Sequence, residues 1–277
     1  MDNKELFLKH QGQTTPYPLC MEVSKASGLY ITDTSGKKYL DLVAGVSACA
    51  IGHCHPRIVK AVQEQAASYM HVMVYGEFIQ SPQLQLAKKL ASVLPDSLNS
   101  SYFVNSGTEA IEGAMKLAKR STGRSEMISC DLSYHGSTQG TLSIMGTEQY
   151  KQKYRPLLPD CNRIVYNDIS SLRLITSKTA AVIIEPVQGA SGFRTPENNY
   201  LQEVRKRCTE VGALLIFDEI QTCYGRTGRL FGFQTYDVVP DILCIAKGMG
   251  GGMPIGAFIC STALMSKLKN NPKLGHI

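Results

Sequence analysis

Five short apolar runs, separated by helical or polar segments, constrain the fold more than any other feature of the sequence. The runs occupy residues 101–104, 127–130, 180–184, 213–217 and 242–245. Helical periodicity follows the first run over 107–120 and precedes the fourth over 200–211. Short runs that are apolar throughout suit strands covered on both faces, and their alternation with helices predicts a mostly parallel α/β sheet.

The N-terminal part of the chain carries a different pattern. Two alternating runs, 28–33 and 38–42, flank a turn signal at 33–36 and predict a short β-meander. Residues 57–70 and 82–94 then have helical periodicity. We therefore expect a small antiparallel unit and two helices ahead of the main sheet.

The composition is that of an ordinary globular chain, with 43% hydrophobic and 19% charged residues among 277. The net charge of +6 does not predict nucleic-acid binding, because the Lys and Arg residues are scattered and the densest run, 116–124, is typical of one solvated helix face. The N-terminus lacks the apolar run of a signal peptide, and no stretch approaches the roughly 18 apolar residues of a membrane span. We therefore expect a cytoplasmic enzyme that binds neither nucleic acid nor membrane.

The nine cysteines fit a reducing compartment. Their number is odd and no CxxC pair occurs, so free thiols are expected rather than disulfides. The segment His53-Cys54-His55 admits a metal site, but adjacent residues of an extended chain point in opposite directions, and no second ligand pair follows. A turn before Pro56 is the favoured interpretation, and no metal is expected.

Polar residues follow the apolar runs, and ligands of open α/β sheets bind beyond the carboxyl ends of the strands. After the first run, Ser106 is a suitable N-cap and Glu109 stands where a capping box requires it. Gly107 permits close backbone approach, and Thr108 adds a second hydroxyl beside the free N–H groups of the helix N-terminus. This segment predicts either an anion site or an ordinary capped helix.

The second and third strand ends carry weaker signals. Tyr134 and His135 precede Gly136, so the Tyr134 ring could face a planar ligand, although core packing is the simpler interpretation. Glu185 directly follows the third run, where a carboxylate is either a cap or a functional group.

Charged residues at the last two strand ends are more informative. Asp218 would be costly in a core unless paired, so a cation is expected beside it, either a protonated pyridine nitrogen or an Arg. Lys247 stands between an apolar strand and the glycine-rich stretch 248–252, where desolvation would free its amine as a nucleophile toward an aldehyde. The alternative for Lys247 is a side chain that reaches the outer surface.

These features together match the requirements of one cofactor. An anion cradle, a flat aromatic ring, a buried Asp and a reactive Lys at one sheet edge are what pyridoxal 5′-phosphate needs: a phosphate grip, ring stacking, an acid opposite the pyridine nitrogen and a Schiff-base lysine. The sequence therefore predicts a pyridoxal-phosphate enzyme.

The chain resembles the class III aminotransferases, of the ornithine, acetylornithine and 4-aminobutyrate type, which have the fold-type I architecture. The resemblance runs over nearly the whole chain and rests on several motifs in the family's order. These motifs occupy 41–46, 52–56, 105–110, 134–136, 185–189, 218–221, 225–228 and 247–248. The resemblance implies a large cofactor-binding α/β domain over 51–277 and an N-terminal segment of the small domain over 1–50.

The resemblance also implies roles for residues on the cofactor side. Ser106, Gly107 and Thr108 would bind the phosphate. Tyr134 would stack on the ring, and His135 would help to shape that wall.

On the reacting side, the resemblance implies that Glu185 lines the substrate pocket and that Gln221 lies near the phenolic oxygen of the ring. Asp218 would pair with the pyridine nitrogen and keep it protonated. Lys247 would hold the aldehyde and then shuttle a proton. The implied reaction is a ping-pong transfer from an amino acid or ω-amino donor to a 2-oxo acid such as 2-oxoglutarate, in a homodimer.

Two departures from the family pattern bear on substrate and completeness. Position 190 is Ala where ornithine- and acetylornithine-type members have Glu, which weakens an ornithine-type substrate assignment. The family also continues beyond the position of Ile277 with a small C-terminal domain, so we expect a truncated member that lacks this domain. The alternatives are a catalytically incompetent fragment and another fold-type I reaction, such as that of an aminomutase or a decarboxylase.

Overall fold

A small antiparallel sheet lies near the N-terminus of the computed structural model, which describes residues 2–73 and 76–269. It follows the helix α1 (Asn3–His10) and consists of β1 (Val23–Ser27), β2 (Tyr30–Asp33) and β3 (Lys38–Leu40). The Asp33 carboxylate closes the β2–β3 turn by accepting the N–H groups of Ser35 and Lys37, each at 2.9 Å. The predicted β-meander is confirmed, with β1 as an additional strand.

A seven-stranded sheet forms the centre of the molecule. Its strands are β4 (Ser100–Val104), β5 (Glu126–Cys130), β6 (Cys161–Ile164), β7 (Thr179–Ile184), β8 (Leu214–Asp218), β9 (Ile242–Ile245) and β10 (Gly256–Cys260). They lie in the order β4-β10-β9-β8-β7-β5-β6. Because β10 alone runs antiparallel to its neighbours in this sheet, the predicted mostly parallel α/β sheet is confirmed.

Two strands of the large sheet are absent from the sequence prediction. In β6, Asn162 and Arg163 interrupt the apolar pattern, which the sheet tolerates because β6 is an edge strand and both residues are exposed. β10 is buried along its whole length, but it follows the glycine-rich stretch that predicts a loop. Strand content was therefore underestimated where a strand is polar or lies beside glycines.

The longer helices agree with the predicted periodicity. They are α3 (Pro56–Ser68), α4 (Ser81–Ala91), α5 (Gly107–Thr122) and α7 (Tyr200–Val211). The remaining α-helical segments among the described residues are short: α2 (Ala44–Ser47), α6 (Gln139–Ser143), α8 (Phe233–Tyr236) and α9 (Thr262–Met265). Both α5 and α7 end at a left-handed glycine, Gly123 and Gly212, a conformation that a glycine adopts without steric cost.

The N-terminus of α5 differs in one detail from the predicted capping box. Ser106 caps the helix as predicted, since its hydroxyl accepts the Glu109 N–H at 3.2 Å. The reciprocal bond is not the predicted one, because the Glu109 carboxylate accepts the N–H of Asn105, at 2.7 Å, rather than that of Ser106. The Glu109 carboxylate thus binds the backbone at Asn105, one residue before the N-cap Ser106.

Two apolar layers cover the faces of the large sheet. Side chains along a strand alternate between faces, so Val182 and Ile184 of β7 pack in the layer that contains α7 residues. Ala181 and Ile183 pack in the opposite layer, which contains the buried face of α5. The sheet is therefore covered on both faces, as predicted, and its carboxyl edge is left to form a site.

The two histidines near Pro56 have different partners. His53 Nε2 lies 2.7 Å from Asp41 Oδ2, whereas His55 Nδ1 accepts the Arg57 N–H at the start of α3. Within residues 2–73 and 76–269, no His, Cys, Asp and Glu side chains are grouped to hold a metal ion, and no helix is long and apolar enough to cross a membrane. All nine cysteines are free thiols.

Candidate active site

A cavity of about 480 Å³ opens at the carboxyl edge of the large sheet. It is lined by all the site residues predicted from the sequence: Ser106, Gly107, Thr108, Tyr134, His135, Glu185, Asp218, Gln221 and Lys247. These residues come from five separate strand ends, which the parallel topology gathers at one edge. The structure therefore brings the whole predicted set together.

The N-terminus of α5 forms one end of the cavity. Gly107 packs closely against Ile220, since a Cβ at position 107 would lie 2.7 Å from Ile220 Cδ1. The Thr108 hydroxyl lies 2.9 Å from the Thr141 hydroxyl and 3.1 Å from the Thr138 hydroxyl. Exposed N–H groups, a helix dipole and a fixed hydroxyl make this end suited to an anion such as a phosphate.

A buried pair of His135 and Asp218 lies at the centre of the site. His135 Nδ1 is 2.7 Å from Asp218 Oδ2, and the side chains are 0% and 4% exposed. Burial disfavours the imidazolium, but the hydrogen bond and charge of Asp218, together with the charge of Glu185, raise the pKa of His135 above its ordinary value. Among the described residues, the partner that Asp218 meets is thus the His135 imidazole rather than an Arg.

The resemblance implies only that His135 helps to shape the cavity wall, whereas the structure also pairs His135 with Asp218. The other carboxylate oxygen, Asp218 Oδ1, accepts the Ile220 N–H at 3.1 Å. The buried His135 Nε2 has no hydrogen-bond partner among the described atoms. No motif could reveal the pairing, because the two residues are 83 positions apart and the sequence does not state which strand ends are neighbours.

Tyr134 and Glu185 form the adjoining wall. Tyr134 is 44% exposed, so the core-packing interpretation is wrong and its ring is available at the cavity. Glu185 is buried, and its carboxylate accepts the N–H groups of Tyr134 and Gly189 at 2.9 and 3.1 Å. Burial raises the pKa of Glu185 above its ordinary value, and the neighbouring Asp218 charge adds to this effect.

Lys247 lies just beyond β9, on the cavity wall rather than on the outer surface. Its φ is +46°, a left-handed backbone conformation that is uncommon for residues other than glycine. Non-glycine residues in this region are strained, and such strain is concentrated at functional sites. Lys247 shares this conformation with twelve other described non-glycine residues, so its place on the cavity wall, and not its φ, marks it as a functional residue.

Gln221 connects the site to the N-terminal part of the chain. Its side-chain amide donates to the Ser47 hydroxyl at 3.4 Å, and the adjacent Ala48 lines the cavity. Sequence reasoning missed Ala48, since nothing in its own segment indicates proximity to residues so distant along the chain. Ala190, where the family pattern has Glu, also lines the cavity.

Further cavity residues that the sequence did not single out are mostly apolar. The larger apolar ones are Val187, Ile220, Met253, Pro254 and Ile255, and Ser137 is polar. An apolar wall excludes water and strengthens the electrostatic interactions of the few charged groups inside the cavity.

Glu219 stands beside Asp218 in sequence but does not line the cavity. Its carboxylate accepts the N–H groups of Gly232 and Phe233 at 2.5 and 2.6 Å, and the Thr222 hydroxyl at 3.1 Å. The residue is 0% exposed, and this burial raises the pKa of Glu219 to about 7 although its hydrogen bonds act in the opposite direction. Glu219 therefore fixes the segment that follows Gln221.

This buried acid predicts a pH-dependent stability. The pKa of Glu219 in the folded state lies above its unfolded value. Its contribution to the free energy of unfolding is therefore present below about pH 4.5 and is lost as the pH rises toward about 7, a change of at most about 3 kcal/mol. Glu219→Gln removes the titration and one acceptor, so the variant is less stable near pH 5 and the gap narrows near pH 8. Urea unfolding of both proteins measures the gap, and a pH-independent gap contradicts the assignment.

The chain is similar to known proteins over most of its length. The family model described as aminotransferase class-III matches residues 12–275. The chain is 42% identical over 263 residues to an acetylornithine aminotransferase from Methanopyrus kandleri, covering 94% of this chain and 66% of that protein. It is 41% identical to an acetylornithine aminotransferase from Clostridium acetobutylicum, covering 87% of this chain and 63% of that protein.

Solved structures give the same picture of the fold. The ornithine aminotransferase from Toxoplasma gondii superposes with a TM-score of 0.89 at 28% identity, covering 100% of this chain and 68% of that one. A pyridoxal-phosphate-bound amine transaminase from an uncultivated Pseudomonas species superposes with a TM-score of 0.86 at 27% identity, covering 95% and 67%. The chain spans less than two thirds of the length of the curated relatives named above.

Proposed function

The chain belongs to the class-III aminotransferase family, and from this premise we propose that it binds pyridoxal 5′-phosphate and transfers an amino group from an amino acid or ω-amino donor to a 2-oxo acid such as 2-oxoglutarate. The observation that carries the proposal is the convergence, in one cavity, of Lys247, the buried Asp218 and the N-terminus of α5. These three supply an amine, an acid and an anion site.

When bound, the cofactor supplies a ring that accepts electrons from the reacting carbon. Asp218 would, as a carboxylate, stabilise the proton on a cationic ring nitrogen, and its bond to His135 holds the carboxylate in place. Lys247 would hold the aldehyde and, once the donor amine has displaced its own amine, would carry a proton between donor and cofactor carbons. Gln221 would serve the phenolic side of the ring, and Tyr134 would cover one face.

The phosphate end of the proposed site rests on Ser106, Gly107 and Thr108. Gly136 provides a test of this phosphate end. Its φ is +125°, and a Cβ added at Gly136 would overlap the Thr108 hydroxyl. Gly136→Ala is expected to displace this hydroxyl and weaken pyridoxal phosphate binding about tenfold or more, since a hydrogen bond to a charged group is worth about 1.5–3 kcal/mol. Equilibrium dialysis against pyridoxal phosphate and against pyridoxal, which has no phosphate, separates this effect from general damage: an equal loss for both ligands contradicts it.

The proposed assembly is a cytoplasmic homodimer, in which residues 1–50 belong to the small domain and 51–277 to the large one. Several large apolar side chains are exposed, including Leu42 at 87%, Met70 at 84% and Ile79 at 91%. A second copy of the chain would cover them. The free thiols suit a reducing compartment. Sedimentation analysis tests the dimer.

A second candidate is a protein that binds the cofactor without turnover. The discriminating experiment incubates the cofactor-loaded chain with 2-oxoglutarate and a panel of donors that includes N-acetylornithine, ornithine and 4-aminobutyrate. The proposal expects glutamate to form with at least one donor. Bound cofactor without glutamate from any donor supports the second candidate, while an isomerised or decarboxylated donor identifies a different reaction of the same cofactor.

A further inference from the structure

Glu185 joins two loops that leave neighbouring strands of the large sheet. The loop after β5 carries Tyr134, and the loop after β7 carries Gly189. One carboxylate oxygen, Oε1, accepts the Tyr134 N–H at 2.9 Å, and the other, Oε2, accepts the Gly189 N–H at 3.1 Å. The single side chain therefore spans the gap between both loops.

Each of these two loops positions a cavity group. The Tyr134 ring is 44% exposed, so it is not locked by the core, and the place of its backbone decides where it stands. Gly189 packs directly against the Gln221 side chain, since a Cβ at Gly189 would overlap the Gln221 amide. Through these contacts Glu185 links the strand ends that carry Tyr134 and Gln221.

A carboxyl side chain suits this arrangement better than an amide, because each of its two oxygens accepts one N–H. Both partners of Glu185 are N–H donors, and an ionised carboxylate offers two acceptor oxygens without any donor. A glutamine of the same shape offers one acceptor and one NH₂ group, which would face a donor. Glu185 is only 6% exposed, and burying a carboxyl group is costly because it loses solvation. Its two backbone hydrogen bonds compensate for that loss.

We propose that Glu185 is a positioning residue: its two oxygens hold the Tyr134 and Gly189 loops at a fixed separation and thereby fix the place of the Tyr134 ring on the cavity wall. The inference rests on the proposed function, because the ring of Tyr134 is assigned to the cofactor there. It adds to that function a residue that acts on the cofactor through the backbone of its neighbour.

A second tie between the same loops makes the proposal testable in a folded protein. The Gln188 side-chain amide donates to the Asp131 carbonyl at 2.8 Å, so the loops stay connected when Glu185 is changed. Glu219→Gln is a matched control, because Glu219 is also a buried carboxylate that accepts two backbone N–H groups, but outside the cavity lining.

The experiment compares the wild type, Glu185→Gln and Glu219→Gln by thermal unfolding, pyridoxal phosphate affinity and the visible circular dichroism of the bound cofactor. The proposal expects both variants to melt earlier. Glu185→Gln alone should bind the cofactor about two- to tenfold more weakly, because a displaced Tyr134 ring loses stacking on the cofactor that is worth about 0.5–1.5 kcal/mol. Its circular dichroism should also change, since that signal reports how the ring is held.

A Tyr134→Leu background then identifies the route. If Glu185 acts through Tyr134, adding Glu185→Gln to Tyr134→Leu causes little further loss of affinity or circular dichroism. Equal effects of Glu185→Gln in both backgrounds, or a wild-type affinity and spectrum in that variant, overturn the inference. If Glu185→Gln does not fold, Glu185→Asp, which is one methylene shorter, carries the same test. Failure of the wild type to bind the cofactor instead overturns the proposed function.

Discussion

Replacing Lys247 by alanine is expected to abolish amino-group transfer and the visible absorbance of bound cofactor while leaving the chain folded. The fold should survive because Lys247 is only partly buried and alanine keeps the same backbone conformation at φ +46°. Activity should fall by at least about 10²–10⁴-fold from lost proton transfer alone, and further because the aldehyde loses its attachment point. Donor turnover, absorbance and thermal unfolding of the purified variant provide the measurement.

Lys151 supplies the matched control for this prediction. Its side chain is more deeply buried than that of Lys247, and its ammonium donates to the carbonyls of Ser143 and Met145 at 3.2 and 2.9 Å. Burial lowers the pKa of Lys151 below its ordinary value, so on amine reactivity alone it is the rival attachment point. Lys151→Ala should lower thermal stability and keep the absorbance. The reverse pattern, in which Lys151→Ala loses the cofactor and Lys247→Ala retains it, contradicts the site assignment.

Replacing Asp218 by asparagine is expected to slow the transfer half-reaction far more than it weakens cofactor binding. Asparagine preserves the shape of the side chain but removes the negative charge that stabilises a cationic ring nitrogen. Removing one preorganised group of this kind typically costs about 10²–10³-fold in rate. Stopped-flow mixing of the loaded enzyme with a donor gives the rate, and equilibrium dialysis gives the cofactor affinity.

The same variant has a second consequence at His135. The hydrogen bond and charge of Asp218 hold the pKa of His135 up against burial, so the neutral asparagine should lower that pKa, as an NMR titration would record. Rate and affinity that fall by the same factor, with an unchanged His135 titration, would show that Asp218 serves only the fold.

The main features of the fold follow from the sequence because the buried strands are short and apolar throughout. The strands β4, β5, β7, β8 and β9 could be predicted from such runs, and the N-cap of α5 from Ser106. The edge strand β6 could not be predicted in this way, since its Asn162 and Arg163 face solvent. Strand order is not encoded locally at all.

The site divides in the same way. The residues themselves could be predicted, because each follows a strand end and carries a distinctive chemistry, as Asp218 and Lys247 do. The contacts between them could not, because the His135–Asp218 pair and the Glu185–Tyr134 bond join segments 83 and 51 positions apart. Ala48 lines the cavity although nothing in its own segment indicates that it lies near the strand ends.

The most direct measurement of the central claim is reduction of the cofactor-loaded chain with borohydride, followed by peptide mapping. Reduction fixes the cofactor to whichever amine holds its aldehyde, so the modified peptide names the residue without assuming a substrate. We predict a single modified peptide, the one that contains Lys247. A cofactor fixed to Lys151 or to another lysine, or a bound cofactor that reduction leaves unattached, would contradict the assignment of this cavity as a pyridoxal-phosphate site built on Lys247.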